Sequence, residues 1–213
     1  MVGCELSLEI SGATAMWTRP DTGDAPVSYP APTFAAAKGI FESILWSQWA
    51  DVVPTKVEIC QPIIYHSYTS NYGGPLRNSG LVEGGSSYQL IAMVLVNVCY
   101  RIYADVRSDP AGYGKHGRPG KQNVGTTNGA HAYQEIVRRR LRNGQLHYTP
   151  CLGWKEFIPD YVGVFRMGTS ICADINLHIP SMLVTCFPQG KNAAWEPLFK
   201  PAVIQSGVLC YAE

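Results

Sequence analysis

The chain has 213 residues, 46% of them apolar and only 15% charged, with a formal net charge of +1. That length bounds it to one large domain, or one domain with a smaller appendage. Near-neutrality excludes a global pull toward nucleic acid, so any such binding must come from a local patch.

The low charged fraction points to surface that partners cover. Seven cysteines are spread without a CxxC pairing, which speaks against a disulfide framework or a zinc knuckle and for buried thiols in a reducing compartment. The longest apolar run, Leu90 to Val96, is too short to span a bilayer. No basic lead with an apolar signal core opens the chain, so the expectation is a cytoplasmic protein with no membrane partner.

In chain order, Cys4 to Ser11 alternates Cys4, Leu6, Leu8 and Ile10 against Glu5, Ser7 and Glu9, which predicts a half-buried strand. Gly12 to Gly23 is turn-rich and holds Trp17, Arg19 and Pro20. Val27 to Trp46 then organises the chain. Pro26, Pro30 and Pro32 keep the lead-in extended, Thr33 stands at an N-cap position, and Ala37, Ile40, Phe41, Ile44 and Leu45 mark one buried helix face. Lys38 and Glu42 form a weak pair on the other face.

Val52 to Tyr65 reads as an extended segment whose Pro54 and Pro62 suit strand ends or a sheet edge. Tyr68 to Ser87, rich in Gly, Ser, Asn and Tyr and containing Arg77, reads as a projecting hairpin or loop. Tyr88 to Asp105 is the strongest strand: every even position is apolar or aromatic, while Gln89, Asn97, Arg101 and Asp105 stand among the odd ones. Such a strand belongs in a sheet interior.

Ser108 to Asn128 is a Gly-rich basic loop with Lys115, His116, Arg118 and Lys121. A second helix is predicted from about Gly129 to Asn143, ending at Asn143-Gly144. Its His131, Glu135, Arg138 and Arg142 fall on one polar stripe. Short strands follow at Trp154–Phe165, Ser170–Ile179, Leu183–Phe187 and Gly207–Tyr211. The first 165 residues thus count as strand, helix, strand, strand, helix, strand. That order is an α+β, ferredoxin-like βαββαβ domain, and residues 166–213 read as a β-rich appendage.

The basic run Arg138-Arg139-Arg140, with Arg142 beyond it, is the clearest electrostatic feature. A solvated helix face explains it as well as phosphate binding does, since Glu135 can pair with Arg138 or Arg139. The neighbouring Lys115, Arg118 and Lys121, and a sheet type widely used for single-stranded RNA, favour phosphate. His131, and Lys115-His116 in the loop, are the acid–base candidates near that cluster. Metal-free RNA cleavage needs a group to take the 2′-hydroxyl proton and a cation to stabilise the phosphorane. For a lone histidine, a surface or capping role is the commoner explanation. No clustered Asp/Glu suggests a metal nuclease, and no GxSxG marks a serine nucleophile; neither metal nor cofactor is expected.

Longer stretches are more specific. Trp17-Thr18-Arg19-Pro20, Val27-Ser28-Tyr29-Pro30 and Ala36-Ala37-Lys38-Gly39-Ile40-Phe41-Glu42-Ser43-Ile44-Leu45-Trp46 form one set. Ile136-Val137-Arg138-Arg139-Arg140 and Pro150-Cys151-Leu152-Gly153-Trp154-Lys155-Glu156-Phe157 continue it in order. Together they resemble CRISPR-associated protein 5 of the Dvulg (type I-C) subtype.

The resemblance implies an RNA-recognition-like domain in a Cascade surveillance complex. It would hold the 5′ handle of the CRISPR RNA beside the large subunit and the first backbone subunit, with target DNA near the PAM as a further candidate partner. Arg19, Tyr29, Lys38 and Lys155 within the matched stretches join Arg138, Arg139, Arg140 and Arg142 as RNA-binding candidates. Relatives of this subtype usually also cut precursor RNA without metal, through a Lys-His pair opening the second helix and, in some, a tyrosine near the end of the first. Aligned on the triple arginine, those positions fall here on Ala132, Tyr133 and Leu45. Either His131 serves after a short slip, or Lys115-His116 folds back, or cleavage is lost and handle binding alone remains.

Overall fold

The computed structural model describes residues 4–47, 50–72, 88–108, 129–186 and 196–211. Alternation along one long strand sets its plan. That strand, β4 (Tyr88–Ser108), buries Ala92, Val94, Val98, Tyr100, Ile102, Ala104 and Val106. It is paired on both edges: with β1 (Cys4–Ala15) on one, and on the other with β3 (Tyr65–Tyr72) along its first part and β2 (Ala50–Ile59) along its second. Asn97 takes a positive φ of 52° between those two partners. A short polar side chain tolerates that conformation better than the β-branched residues around it.

The remaining elements are α1 (Phe34–Ile44), α2 (Gly129–Asn143), β5 (Tyr161–Gly163), β6 (Leu177–Thr185), β7 (Leu198–Gln205) and β8 (Val208–Cys210). The protein is an α+β fold, with an antiparallel sheet in the order β5-β1-β4-β2-β8-β7-β6, β3 pairing β4 off that path, and two helices among the described residues. Among those residues, no helix is long and apolar enough to cross a membrane.

The expected first helix forms for the expected reason. Thr33 Oγ1 accepts from the Ala36 amide at 3.2 Å, and Ala37, Ile40, Phe41 and Ile44 are fully buried. Lys38, however, pairs with Asp51 across to β2 at 2.5 Å, the partner that tertiary packing brings within reach of its long side chain. α1 packs on β2 and β6, and α2 on β1, β2 and β4, joining one continuous core.

Pro54 sits at a bulge in the part of β2 that pairs with β4 alone, outside the Lys56–Glu58 stretch that β8 pairs, a local edge of the kind its missing donor calls for. Two expectations are corrected. The stretch 154–165 is mostly turn, with strand only at β5. Ser170–Ile179 and Leu183–Phe187 give way to a turn and one strand, β6, whose partner β7 the alternation did not single out.

The PCLGWKEF turn is held by backbone. Met16 donates to the Leu152 carbonyl at 2.8 Å, and Gly153 has φ 95° with a Cβ position only 1.8 Å from the Met16 oxygen. Gly153→Ala should therefore cost about 3 kcal/mol or more in urea denaturation. Gly39→Ala, in open space on α1, should instead stabilise by about 0.5–1 kcal/mol.

Candidate nucleic-acid interface

Helix α2 buries Ala130, Tyr133, Gln134, Val137 and Leu141 and turns His131, Glu135, Arg138, Arg139 and Arg142 to solvent. The stripe read from the spacing is thus one exposed face. Arg138 pairs with Glu135 at 3.1 Å, both half exposed, a contact worth little in water. Arg142 Nε donates to the Arg138 carbonyl at 3.4 Å. The last-turn arginines also complement the negative end of the helix dipole, and the face keeps a positive excess.

Arg140 does something different. Its Nη1 donates to the Ile44 carbonyl at the end of α1, at 2.5 Å. The Tyr133 hydroxyl donates to the next carbonyl, Leu45, while the His147 and Tyr148 amides donate to Ser43 at 2.8 and 3.1 Å. Helix-end carbonyls that α1 itself cannot satisfy are received by α2 and the segment after it. Burial pushes the Tyr133 hydroxyl well above its ordinary pKa, so it stays protonated. Around this junction Trp46 and Tyr148 are each 50% exposed, and His147 is exposed too. These aromatics were not foreseen, since nothing in the spacing marks residues 146–148 as packed on α1.

The other candidates scatter. Arg19 is held by Asp21 through two bonds of 3.1 and 2.7 Å. Trp154 Nε1 donates to Thr18 Oγ1 at 3.0 Å, which sets the turn carrying exposed Lys155 against the one carrying Arg19. Lys38 is engaged by Asp51 on β2. Tyr29 is not a surface residue: it is 1% exposed, and its hydroxyl accepts from the Leu183 amide at 3.2 Å. Its ring packs in the core and offers no face to a base. Lys115 and His116, with Arg77, Arg118 and Lys121, lie outside the described residues. The structure therefore brings His131, Arg138, Arg139 and Arg142 together on one helix face and carries Arg19, Lys38 and Lys155 on other elements.

A second polar centre lies on the sheet face formed by the odd positions of β1 and β4. Glu9 is fully buried there, opposite Arg101. Its carboxylate accepts from the Arg166 amide at 3.1 Å, from Arg166 Nε, from Thr169 Oγ1 at 2.9 Å and from Arg101 Nε at 3.5 Å. Burial alone would raise its pKa, but the bonds from Arg166 and Thr169 outweigh that and hold the carboxyl below its ordinary value. Beside it opens a cleft of about 750 Å³, lined by Ser11, Cys60, Asn97, Cys99, Arg166 and Thr169 among others. Alternation had placed Glu9 on a solvated side; no local signal in the sequence points to Arg166, more than 150 residues away.

Replacing Glu9 by Gln leaves two arginines without their counter-charge and should cost about 3 kcal/mol. The depressed pKa means that Glu9's contribution is fully present above the ordinary carboxylate value, 4.5. It is lost as pH falls from there through the folded-state value. The acid limb of a stability–pH curve should be shallower in Glu9→Gln than in the parent.

No family model matches the chain. A protein named CRISPR pre-crRNA endoribonuclease Cas5d from Thermus thermophilus is 28% identical over 153 residues, covering 71% of this chain and 61% of its own length. A protein of the same name from Mannheimia succiniciproducens is 28% identical over 155 residues, covering 71% of this chain and 69% of its own. A solved structure described as a CRISPR-associated protein superposes with a TM-score of 0.67 at 18% identity, covering 98% of this chain and 92% of that one. At that identity the superposition speaks to the fold alone.

Proposed function

We infer that this chain, a member of the Cas5 family of CRISPR-associated proteins, binds the repeat-derived 5′ handle of CRISPR RNA as a capping subunit of Cascade. The observation that carries this reading is the exposed face of α2. It presents His131, Arg138, Arg139 and Arg142 together, close by the α1–α2 junction with its exposed Trp46 and Tyr148. Arginines would grip phosphates, and half-exposed rings would stack unpaired bases.

The fold is suited to that task. We take β1-α1-β2-β4-α2-β5, whose strands stand in the order β5-β1-β4-β2 with antiparallel neighbours, as a ferredoxin-like unit of the Dvulg subtype spanning residues 1–165. Residues 166–213 are its β-rich extension, and β3 lengthens the edge of β4. The large and backbone subunits are its neighbours in the assembly, target DNA near the PAM a further contact, and the cytoplasm its compartment.

Binding through this face has a measurable signature. Replacing Arg138, Arg139 and Arg142 together by alanine should weaken handle-RNA binding. It should also lower the slope of log K against log salt by about 2, each lost phosphate contact on single-stranded RNA accounting for about 0.7. Binding that survives with an unaltered slope would show that the surface lies elsewhere. Arg140 is kept out of that set because it holds the Ile44 carbonyl.

Metal-independent cleavage of the repeat is the second reading. The names of both relatives favour it, as does an exposed His131 in the first turn of α2. The position where the resemblance expects a histidine holds the buried, protonated Tyr133, so the acting base is His131, or His116 with Lys115. Repeat RNA incubated in excess EDTA should be cut to a 2′,3′-cyclic phosphate product. The His131→Ala variant should cut at least about 100-fold more slowly if His131 is the base. A slow His116→Ala variant with an active His131→Ala variant would assign the role to His116 instead. Uncut RNA would retire cleavage and leave handle binding as the whole function.

A further inference from the structure

We propose that Cys60 and Cys99 form a redox-sensitive dithiol in the cleft beside Glu9, one that a small peroxide converts to an intramolecular disulfide. The two residues are cross-strand neighbours. The β2–β4 register ends at Ile59 opposite Tyr100, and one step further the Cys60 amide donates to the Cys99 carbonyl at 2.9 Å. Residues facing each other across antiparallel strands have Cα atoms about 4.5–5.5 Å apart and side chains on the same face. That lies within the span a disulfide bridges without backbone movement, roughly 4.4–6.8 Å. Both residues line the same open cleft, so a small oxidant reaches them although each is largely buried, at 6% and 4% exposure.

The surroundings distinguish the two thiols. Arg166 Nη2 stands 3.7 Å from Cys99 Sγ, which also faces Glu9 Oε1 at 3.9 Å, while Cys60 Sγ is directed to the Glu58 carbonyl at 3.7 Å. The hydrogen bond from Cys60 and the nearby guanidinium lower the pKa of Cys99 against the opposing effects of burial and of Glu9. The matching hydrogen bond and burial push Cys60 up. With the Arg166 guanidinium beside its sulfur, Cys99 is the attacking thiol and Cys60 the resolving one.

The Cys99 thiolate attacks one peroxide oxygen, the O–O bond breaks, and the departing hydroxide takes up a proton to leave as water. Cys60 sulfur then attacks the resulting sulfenic acid. Its S–O bond breaks, and hydroxide leaves with the Cys60 proton as a second water. Two thiols lose two electrons and two protons, and one peroxide becomes two waters. The bond would tie the end of β2 to β4 two residues from Asn97, where β4 exchanges β3 for β2 as its partner.

The test uses the purified full chain, treated with hydrogen peroxide, alkylated with N-ethylmaleimide and digested without reductant for mass spectrometry. Two of the seven cysteines should escape alkylation, in a peptide linking Cys60 to Cys99 that dithiothreitol releases. Cys60→Ser and Cys99→Ser should each abolish it, and Cys172→Ser should leave it intact. The linked chain should melt roughly 5 °C or more higher, since the bond closes a long loop. Cys99 linked to Cys172 overturns the proposal, and so does overoxidised Cys99 with Cys60 still alkylated, or complete alkylation after peroxide. A linked chain that melts lower than the reduced one would also overturn it, because the bond would then strain the sheet instead of fitting its register. Because the parent chain carries the primary readout, a variant that fails to fold does not remove the test.

Discussion

The end of α1 is the constraint on which the basic face of α2 depends. A helix leaves its last carbonyls without intrahelical partners, and here three consecutive ones are received by groups distant in sequence. Ser43 takes the His147 and Tyr148 amides, Ile44 the Arg140 guanidinium and Leu45 the Tyr133 hydroxyl. Those bonds fix the rotation of α2 about its own axis. With Tyr133, Val137 and Leu141 committed inward, the 3.6-residue period leaves His131, Arg138, Arg139 and Arg142 no direction but outward. The basic face is thus a consequence of how α1 is capped. Arg140 shows the trade: one cation of the run is withdrawn from the surface to hold the helix pair that displays the others.

The opposite side of the sheet follows another rule. Glu9 is a fully buried carboxylate, and a charge there persists only if every lone pair has a donor. Arg166, Thr169 and Arg101 supply them, and in doing so they anchor the 164–170 segment over β1 and β4. Arg101 also lies over the Phe165 ring and Arg166 over Tyr161, at 4.7 and 4.4 Å, so both guanidiniums are fixed by stacking as well as by charge. The cleft and its two thiols exist because this segment spans the sheet without filling it.

Much of this was legible from periodicity. The strands at Cys4 to Ser11 and Tyr88 to Asp105, the Thr33 cap, the buried face of α1 and the polar stripe of α2 all follow from local patterns and are realised, Glu9 being the one exception to the first alternation. What was not legible depends on pairs remote in sequence. Lys38 faces Glu42 along the helix but bonds Asp51 across it. Tyr29 sits in a segment that reads as an extended lead-in and is itself a candidate to touch RNA, yet the later strand β6 closes over it and binds its hydroxyl. The β7 strand has weak alternation and is stabilised by its neighbours on both sides.

The candidate site separates position from chemistry. The resemblance expects an acid–base residue at the opening of the second helix and a tyrosine at the end of the first, and the fold does bring those two positions into contact, since the Tyr133 hydroxyl donates to the Leu45 carbonyl. Yet at that contact the chain places a buried phenol and an aliphatic side chain, neither of which transfers protons near neutral pH. A phenol pushed upward by burial stays protonated and so cannot take up a proton, and its donor is already spent on the carbonyl. The contact is structural, a capping bond between helices, while the outward arginines and exposed rings proposed to hold RNA stand on the surface beside it. Handle binding requires only those features. Cleavage requires in addition a histidine reaching the same place from one residue ahead of the aligned pair or from the preceding loop, which is why binding is the reading that the arrangement supports directly.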